Sequence, residues 1–270
     1  MTSSRQQPPS KSDSDDFWSS LRTGVLLGAA ALVVVLPATY YWKRPVPTIF
    51  PDAPAQVAAP RDPSTAGAPP VQRAVRLASF GGENPTAAVR QVANWSVYSG
   101  DHQKMAIVIV DKKDARVWVL DPSGKLLAST PALLGAAIGD DSVPGIGEKP
   151  LSKVRPEEKT TPAGRFVAEP GTNANGEDIV WVSYDLAVSM HRVRASNKAE
   201  RRLERLASAT ADDNRISFGC INLPPTFYDN VLSAAVQKYG AVIYVLPETR
   251  TPAEVFGTYD VPPPTHVAQR

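Results

Sequence analysis

The stretch MAIVIVDKKDARVWVLD, Met105 to Asp121, decides the fold. MAIVIV (Met105 to Val110) and ARVWVLD (Ala115 to Asp121) are rich in β-branched and apolar residues, and the turn-like DKKD separates them. DPSG, Asp121 to Gly124, makes a second reversal before KLLAST, which is the pattern of an antiparallel meander. Further strands are expected at RFVAEP, DIVWVSYD, LAVSMHRV and, near the C-terminus, AVIYVLP. Helices are expected at the margins. Asn84-Pro85 caps one, with Val89, Val92 and Trp95 recurring on a single face. Asn197 and Glu200 have capping-box spacing before AERRLERLASA, in which Leu203 and Leu206 turn inward. FYDNVLSAAVQKYG supplies another helix. The expected class is mainly β with peripheral helices, a sandwich or barrel and not a βαβ fold.

Outside this unit the composition changes. Residues 23–42 carry no charge, and at about 1.5 Å per residue they reach roughly 30 Å, the thickness of a bilayer core. Tyr40, Tyr41 and Trp42 form an aromatic belt at one end. A single transmembrane helix with the lipid bilayer as its partner is the expectation. Eight prolines lie between Pro45 and Pro70, a density that keeps a chain extended. The expected organisation is an N-terminal segment (1–22), an anchor (23–42), a Pro/Ala-rich linker (43–80), a folded domain (81–257) and a loose tail (258–270) that holds His266. Within the domain, residues 139–164 are dense in turn formers, and a loop of that length is expected to help form a cleft. With 29 basic and 27 acidic residues and no Lys/Arg block, no nucleic-acid partner is indicated.

The chain has one cysteine, in RISFGCINLP, Arg215 to Pro224. Free cysteines are commonly buried and inert. Against that, Gly219 permits a turn or a close approach, and Leu223-Pro224-Pro225 stops a strand at once, so the thiol lies at an element end. His191 ends the strand-like SYDLAVSMH and can share the same rim. Thiol and imidazole in reach of each other form a nucleophile–base pair, with the Gly219 and Cys220 amides as oxyanion donors. From these residues alone a structural and a nucleophilic Cys220 both stand. No metal is implied, because one cysteine and so few histidines make no ligand set.

Three segments in order resemble the L,D-transpeptidase, or YkuD-type, catalytic domain of bacterial cell-wall enzymes. Thr161-Pro162-Ala163-Gly164-Arg165-Phe166 looks like the family's TPxGxF segment, His191 like its strand-end base, and Ser217-x-Gly219-Cys220-Ile221-Asn222 like its nucleophile signature. The resemblance implies Cys220 as nucleophile, His191 as base, and a loop shaped by Ser217 and Asn222. It also implies peptidoglycan stem peptides containing meso-diaminopimelate as substrate, no cofactor, and 3→3 crosslinks made through a thioester. An L,D-carboxypeptidase or a protein-to-murein acyltransferase on the same fold is the alternative, and a non-catalytic, membrane-tethered wall-binding module the second. By association it implies a periplasmic domain on an inner-membrane protein. Arg215 is added as a partner for a stem carboxylate. Two departures stand out: Phe218 replaces the histidine usual between serine and glycine, and 25 residues separate His191 from Ser217.

Overall fold

The computed structural model describes residues 75–262. Helix α1 (Ala87–Ser99) comes first, then strands β1 (Ala106–Asp111), β2 (Arg116–Leu120), β3 (Leu126–Pro131) and the short β4 (Leu134–Gly135). After the long excursion come β5 (Gly164–Val167), β6 (Glu169–Thr172), β7 (Asp178–Ser183) and β8 (Val188–Arg192). Helix α2 (Arg202–Ala207) precedes β9 (Arg215–Ser217) and β10 (Ile221–Leu223). Helix α3 (Pro225–Phe227) continues through a π turn, Tyr228–Ser233, into α4 (Ala234–Tyr239). Strand β11 (Ala241–Val245) and α5 (Pro252–Phe256) close the domain.

The strands form a five-stranded sheet in the order β3-β2-β1-β11-β5, a four-stranded sheet in the order β10-β8-β7-β6, and the small pair β4-β9. β1, β2 and β3 are antiparallel neighbours, the meander read from Met105 onward. All six residues of β1 and all five of β11 are buried, which requires cover on both faces of the larger sheet. On one face Ile107, Ile109, Trp118 and Tyr244 pack against Val89, Val92 and Trp95 of α1. On the other, Val108, Val117 and Ile243 join a cluster with Val180, Met190, Ile221 and the Tyr228–Val236 helical stretch. The smaller sheet is thereby held with β8 and β10 lining one edge of the core.

The expected sandwich or barrel of mainly antiparallel strands needs correction. Both sheets are open, and each contains a parallel pair, β1 with β11 and β8 with β10, so the fold is mixed α/β. Among the described residues no helix is long and apolar enough to cross a membrane. Residues 23–42 lie outside the described residues, and the structure lends no support to a transmembrane helix, a lipid-bilayer partner or an inner-membrane, periplasmic location. Those three expectations are withdrawn. Packing also passes both ends of the 81–257 span: Phe80 is buried and Val261 packs on the α1 side of the core. The first helix is capped by Thr86, not Asn84, because the Thr86 hydroxyl accepts from Val89 N and donates to Asp111. Leu203 points outward, 55% exposed, since α2 lies on the surface.

One charged cluster ties the long excursion to the sheet. Lys112, just past β1, is fully buried and donates to Asp140 Oδ1 (3.1 Å), Gly139 O (2.5 Å) and Thr161 O (2.9 Å). Asp140 also accepts from the amides of Glu248, Thr249 and Arg250 and from the Thr249 hydroxyl. Burial pushes the Asp140 carboxyl up, but those donors outweigh it and hold the group well below the usual carboxylate range. Breaking a buried pair leaves an uncompensated charge. Asp140→Ala is therefore expected to cost about 3–5 kcal/mol in denaturant unfolding; a midpoint within error of wild type contradicts the role.

Candidate active site

Strand β10 lies parallel to β8 with Ile221 opposite Met190, Asn222 opposite His191 and Leu223 opposite Arg192. Met190 and Ile221 are fully buried in the core, so alternation sends Ser189, His191 and Cys220 to the opposite face. This parallel register brings together two residues that the 25-residue interval holds apart in sequence. The Cys220 thiol is half-buried and lies 3.7 Å from Ser189 Oγ and 3.6 Å from the Ala187 carbonyl, to which it donates. Burial pushes the thiol pKa up; hydrogen bonding from His191 and from the Ser189 amide, with the charge of His191, outweighs it and leaves the thiol below its ordinary value.

His191 Nδ1 lies 2.8 Å from the Arg192 carbonyl. A carbonyl accepts only, so Nδ1 carries the proton and Nε2 keeps a lone pair for the thiol. Arg192 in turn is held by Asp178 and Asp229 and lies over the Tyr228 ring at 4.4 Å, which fixes the strand end. The other described histidine, His102, is buried between the carbonyls of Ser96 and Pro122 and takes no part in this face.

The turn that presents the thiol is built from Gly219. Its φ of +130° is open to glycine, and a Cβ there would stand 2.8 Å from Thr160 O. Ser217 Oγ accepts from Gly219 N (3.1 Å) and donates to Cys220 O (2.6 Å). The Gly219 amide is thus committed within the loop, which leaves the Cys220 amide as the oxyanion donor of the two expected. Asn222, almost fully buried, donates to Cys220 O (3.2 Å) and accepts from Arg202 Nη1 (2.7 Å). The inserted segment after β8 therefore reaches back to brace the loop.

Arg215 is drawn elsewhere. Its guanidinium pairs with Glu248 and donates to Lys112 O (2.7 Å), with 14% of the side chain exposed, so it belongs to the buried charged cluster and is not free for a substrate carboxylate. Phe218 is 41% exposed, and Lys159 Nζ stands 4.1 Å from its ring centroid. Ser189, Ala187, Arg202 and Lys159 were not singled out from the sequence. Only Ser189 carried a usable signal, two residues before His191 and so on the same strand face.

Thr161, first residue of the TPAGRF segment, connects the excursion to the thiol loop. Its hydroxyl donates to Gly219 O (2.8 Å) and accepts from Gly135 N (2.9 Å), and it is fully buried. Thr161→Val strands both partners and is expected to cost about 1–3 kcal/mol and to slow thiol acylation; unchanged stability and rate contradict this bracing role. Beside Ala187 an open groove of about 660 Å³ runs between the excursion, at Gly147 and Glu148, and the β6–β7 hairpin, at Asn173 and Trp181. Tyr184, 73% exposed, stacks edge-on against Trp181 in its wall. No cluster of histidine, cysteine and carboxylates suited to a metal occurs among the described residues.

No protein-family model and no curated protein matches the chain. Among solved structures, the L,D-transpeptidase from Mycobacterium smegmatis is 19% identical over 52% of this chain and 58% of its own, with a TM-score of 0.29. The catalytic domain of the E. faecium L,D-transpeptidase is 20% identical over 53% of this chain and 98% of its own, TM-score 0.30. The helical cell shape determining protein Pgp2 from Campylobacter jejuni is 15% identical over 56% of this chain, TM-score 0.37. The chain spans about half the length of the Pgp2 chain it matches. At these values no activity is carried across. The likeness is to L,D-transpeptidases, at the level of fold, and the chemistry of the site is read from its own thiol, imidazole and loop.

Proposed function

We propose that the domain is a cysteine acyltransferase of the L,D-transpeptidase type, acting on peptidoglycan stem peptides. The observation that supports this most is the parallel β8–β10 register, which sets His191, its Nδ1 on a backbone carbonyl, opposite Asn222 and so two residues from Cys220. In this reading His191 Nε2 takes the thiol proton as sulfur attacks the carbonyl of the L-centre of meso-diaminopimelate. The carbonyl oxygen develops charge toward the Cys220 amide. Collapse breaks the C–N bond, His191 returns the proton to the departing amine, and D-alanine leaves with the acyl group held as a thioester. The side-chain amine of a second stem then attacks the thioester, transfers its proton to His191 and restores the thiol, giving a 3→3 link.

Phe218 favours keeping one alternative in view. The motif histidine is absent at this position, and an acceptor other than a stem amine fits the same acyl-enzyme: water gives a trimmed tripeptide, and a protein amine gives attachment to the wall. The discriminating experiment incubates the full chain with diaminopimelate-containing tetrapeptide stems and resolves the products by mass. Crosslinked dimers with one D-alanine released per link are expected. Tripeptides alone move the assignment to a carboxypeptidase, and unchanged stems from folded protein overturn the acyl-donor assignment.

A further inference from the structure

We propose that Lys159, held over Phe218, is the residue that recognises the free carboxylate on the departing side of the acyl donor. This rests on the acyl-transfer reading of Cys220 and names a specificity determinant for it. Four cations lie on the excursion between Lys149 and Lys159. Lys149 and Arg155 are paired with Glu158, and Arg155 also with Glu157. Arg215, the cation nearest to Cys220 in sequence, is paired with Glu248. Lys153 and Lys159 have no carboxylate partner among the described residues, and of the two only Lys159 is seated on an aromatic face, that of Phe218 beside the thiol turn.

Its placement follows from the backbone. Thr160 O stands 2.8 Å from where a Gly219 Cβ would sit, so the Lys159–Thr160 segment runs directly against the turn that presents Cys220. Phe218 precedes Cys220 by two residues and remains 41% exposed. An ammonium over a ring keeps its charge, and the ring limits the rotamers of a flexible four-carbon stem. The cation is thus oriented without being neutralised. A departing amino acid carries its carboxylate about one residue length, roughly 3.8 Å, beyond the attacked carbonyl. That short span suits a cation on the segment lining the thiol turn. Position 218 then holds an aromatic seat for a cation, which gives Phe218 a specificity role in place of a loss.

The test compares full-length wild type with Lys159→Met and Lys159→Arg in two assays. The first measures acylation by a tetrapeptide stem with a free C-terminal carboxylate and by the same peptide amidated. Wild type is expected to prefer the carboxylate by about tenfold in kcat/KM, Lys159→Met to lose that preference, and Lys159→Arg to keep it. The second measures alkylation of Cys220 by anionic iodoacetate and neutral iodoacetamide. The iodoacetate-to-iodoacetamide rate ratio is expected to fall several-fold in Lys159→Met, with the iodoacetamide rate unchanged. Because alkylation needs no acyl donor, it separates the two claims. A falling alkylation ratio with no acylation by either stem supports Lys159 as an anion-recognising residue and overturns the acyl-transfer reading. Unaltered carboxylate preference and unaltered alkylation ratio in Lys159→Met overturn the inference.

Discussion

Cys220→Ala is expected to abolish release of D-alanine from stem peptides while the protein stays folded. The thiol is half-buried at a loop end, and its removal leaves no large cavity in the core, which is formed by Met190 and Ile221 on the other face of the strands. Loss of activity with an unchanged circular-dichroism spectrum and unfolding midpoint is the result that fits. Retained activity in the alanine variant sinks the mechanism, because the other described polar groups beside the thiol, Ser189 and His191, cannot form a thioester.

His191→Ala has the second-largest expected effect, and it has two signatures. Loss of a positioned acid–base group lowers the acylation rate by about 10²- to 10⁴-fold. The thiol pKa also moves. In the native site burial raises it, and the hydrogen bond and charge of His191 help to bring it below the ordinary value. With the imidazole gone, burial is opposed by Ser189 alone and the pKa rises. The thiolate fraction at neutral pH then falls, so the pH–rate curve for alkylation shifts to higher pH. A slower enzyme with an unshifted alkylation profile contradicts the pairing.

How far the sequence carried the fold depends on the range of each interaction. β1 to β3 could be read directly, because alternation and the DKKD and DPSG turns are local. The parallel pairings could not. β11 joins β1 from about 130 residues away, and nothing in AVIYV specifies that neighbour. The closed or sandwich-like expectation failed at this point. Thr86 displaced Asn84 as the cap because Asp111, on β1, anchors the Thr86 hydroxyl.

The site shows the same division. Cys220, Gly219 and Ser217 sit in one turn, and their relations follow from spacing and from the need for a positive φ. His191 was legible as the end of the strand-like SYDLAVSMH, the resemblance gave it the role of base, and the β8–β10 register places it opposite Asn222. Arg215 misled because its partner, Glu248, lies 33 residues onward, past two further helices and two strands. The Gly219 amide looked free for an oxyanion until the Ser217 hydroxyl was seen to occupy it. Lys159 was invisible for a related reason: a lysine among turn formers gives no sign that an aromatic ring two residues before the cysteine will seat it.

The measurement that tests the central claim most directly is intact-mass spectrometry with peptide mapping of the full chain, taken during turnover of a diaminopimelate-containing tetrapeptide stem. The account predicts a mass increase equal to the acyl tripeptide, located on the peptide that contains Cys220 and lost on treatment with hydroxylamine. A folded protein that consumes the stem with no adduct on Cys220, or with the adduct on another residue, would contradict it.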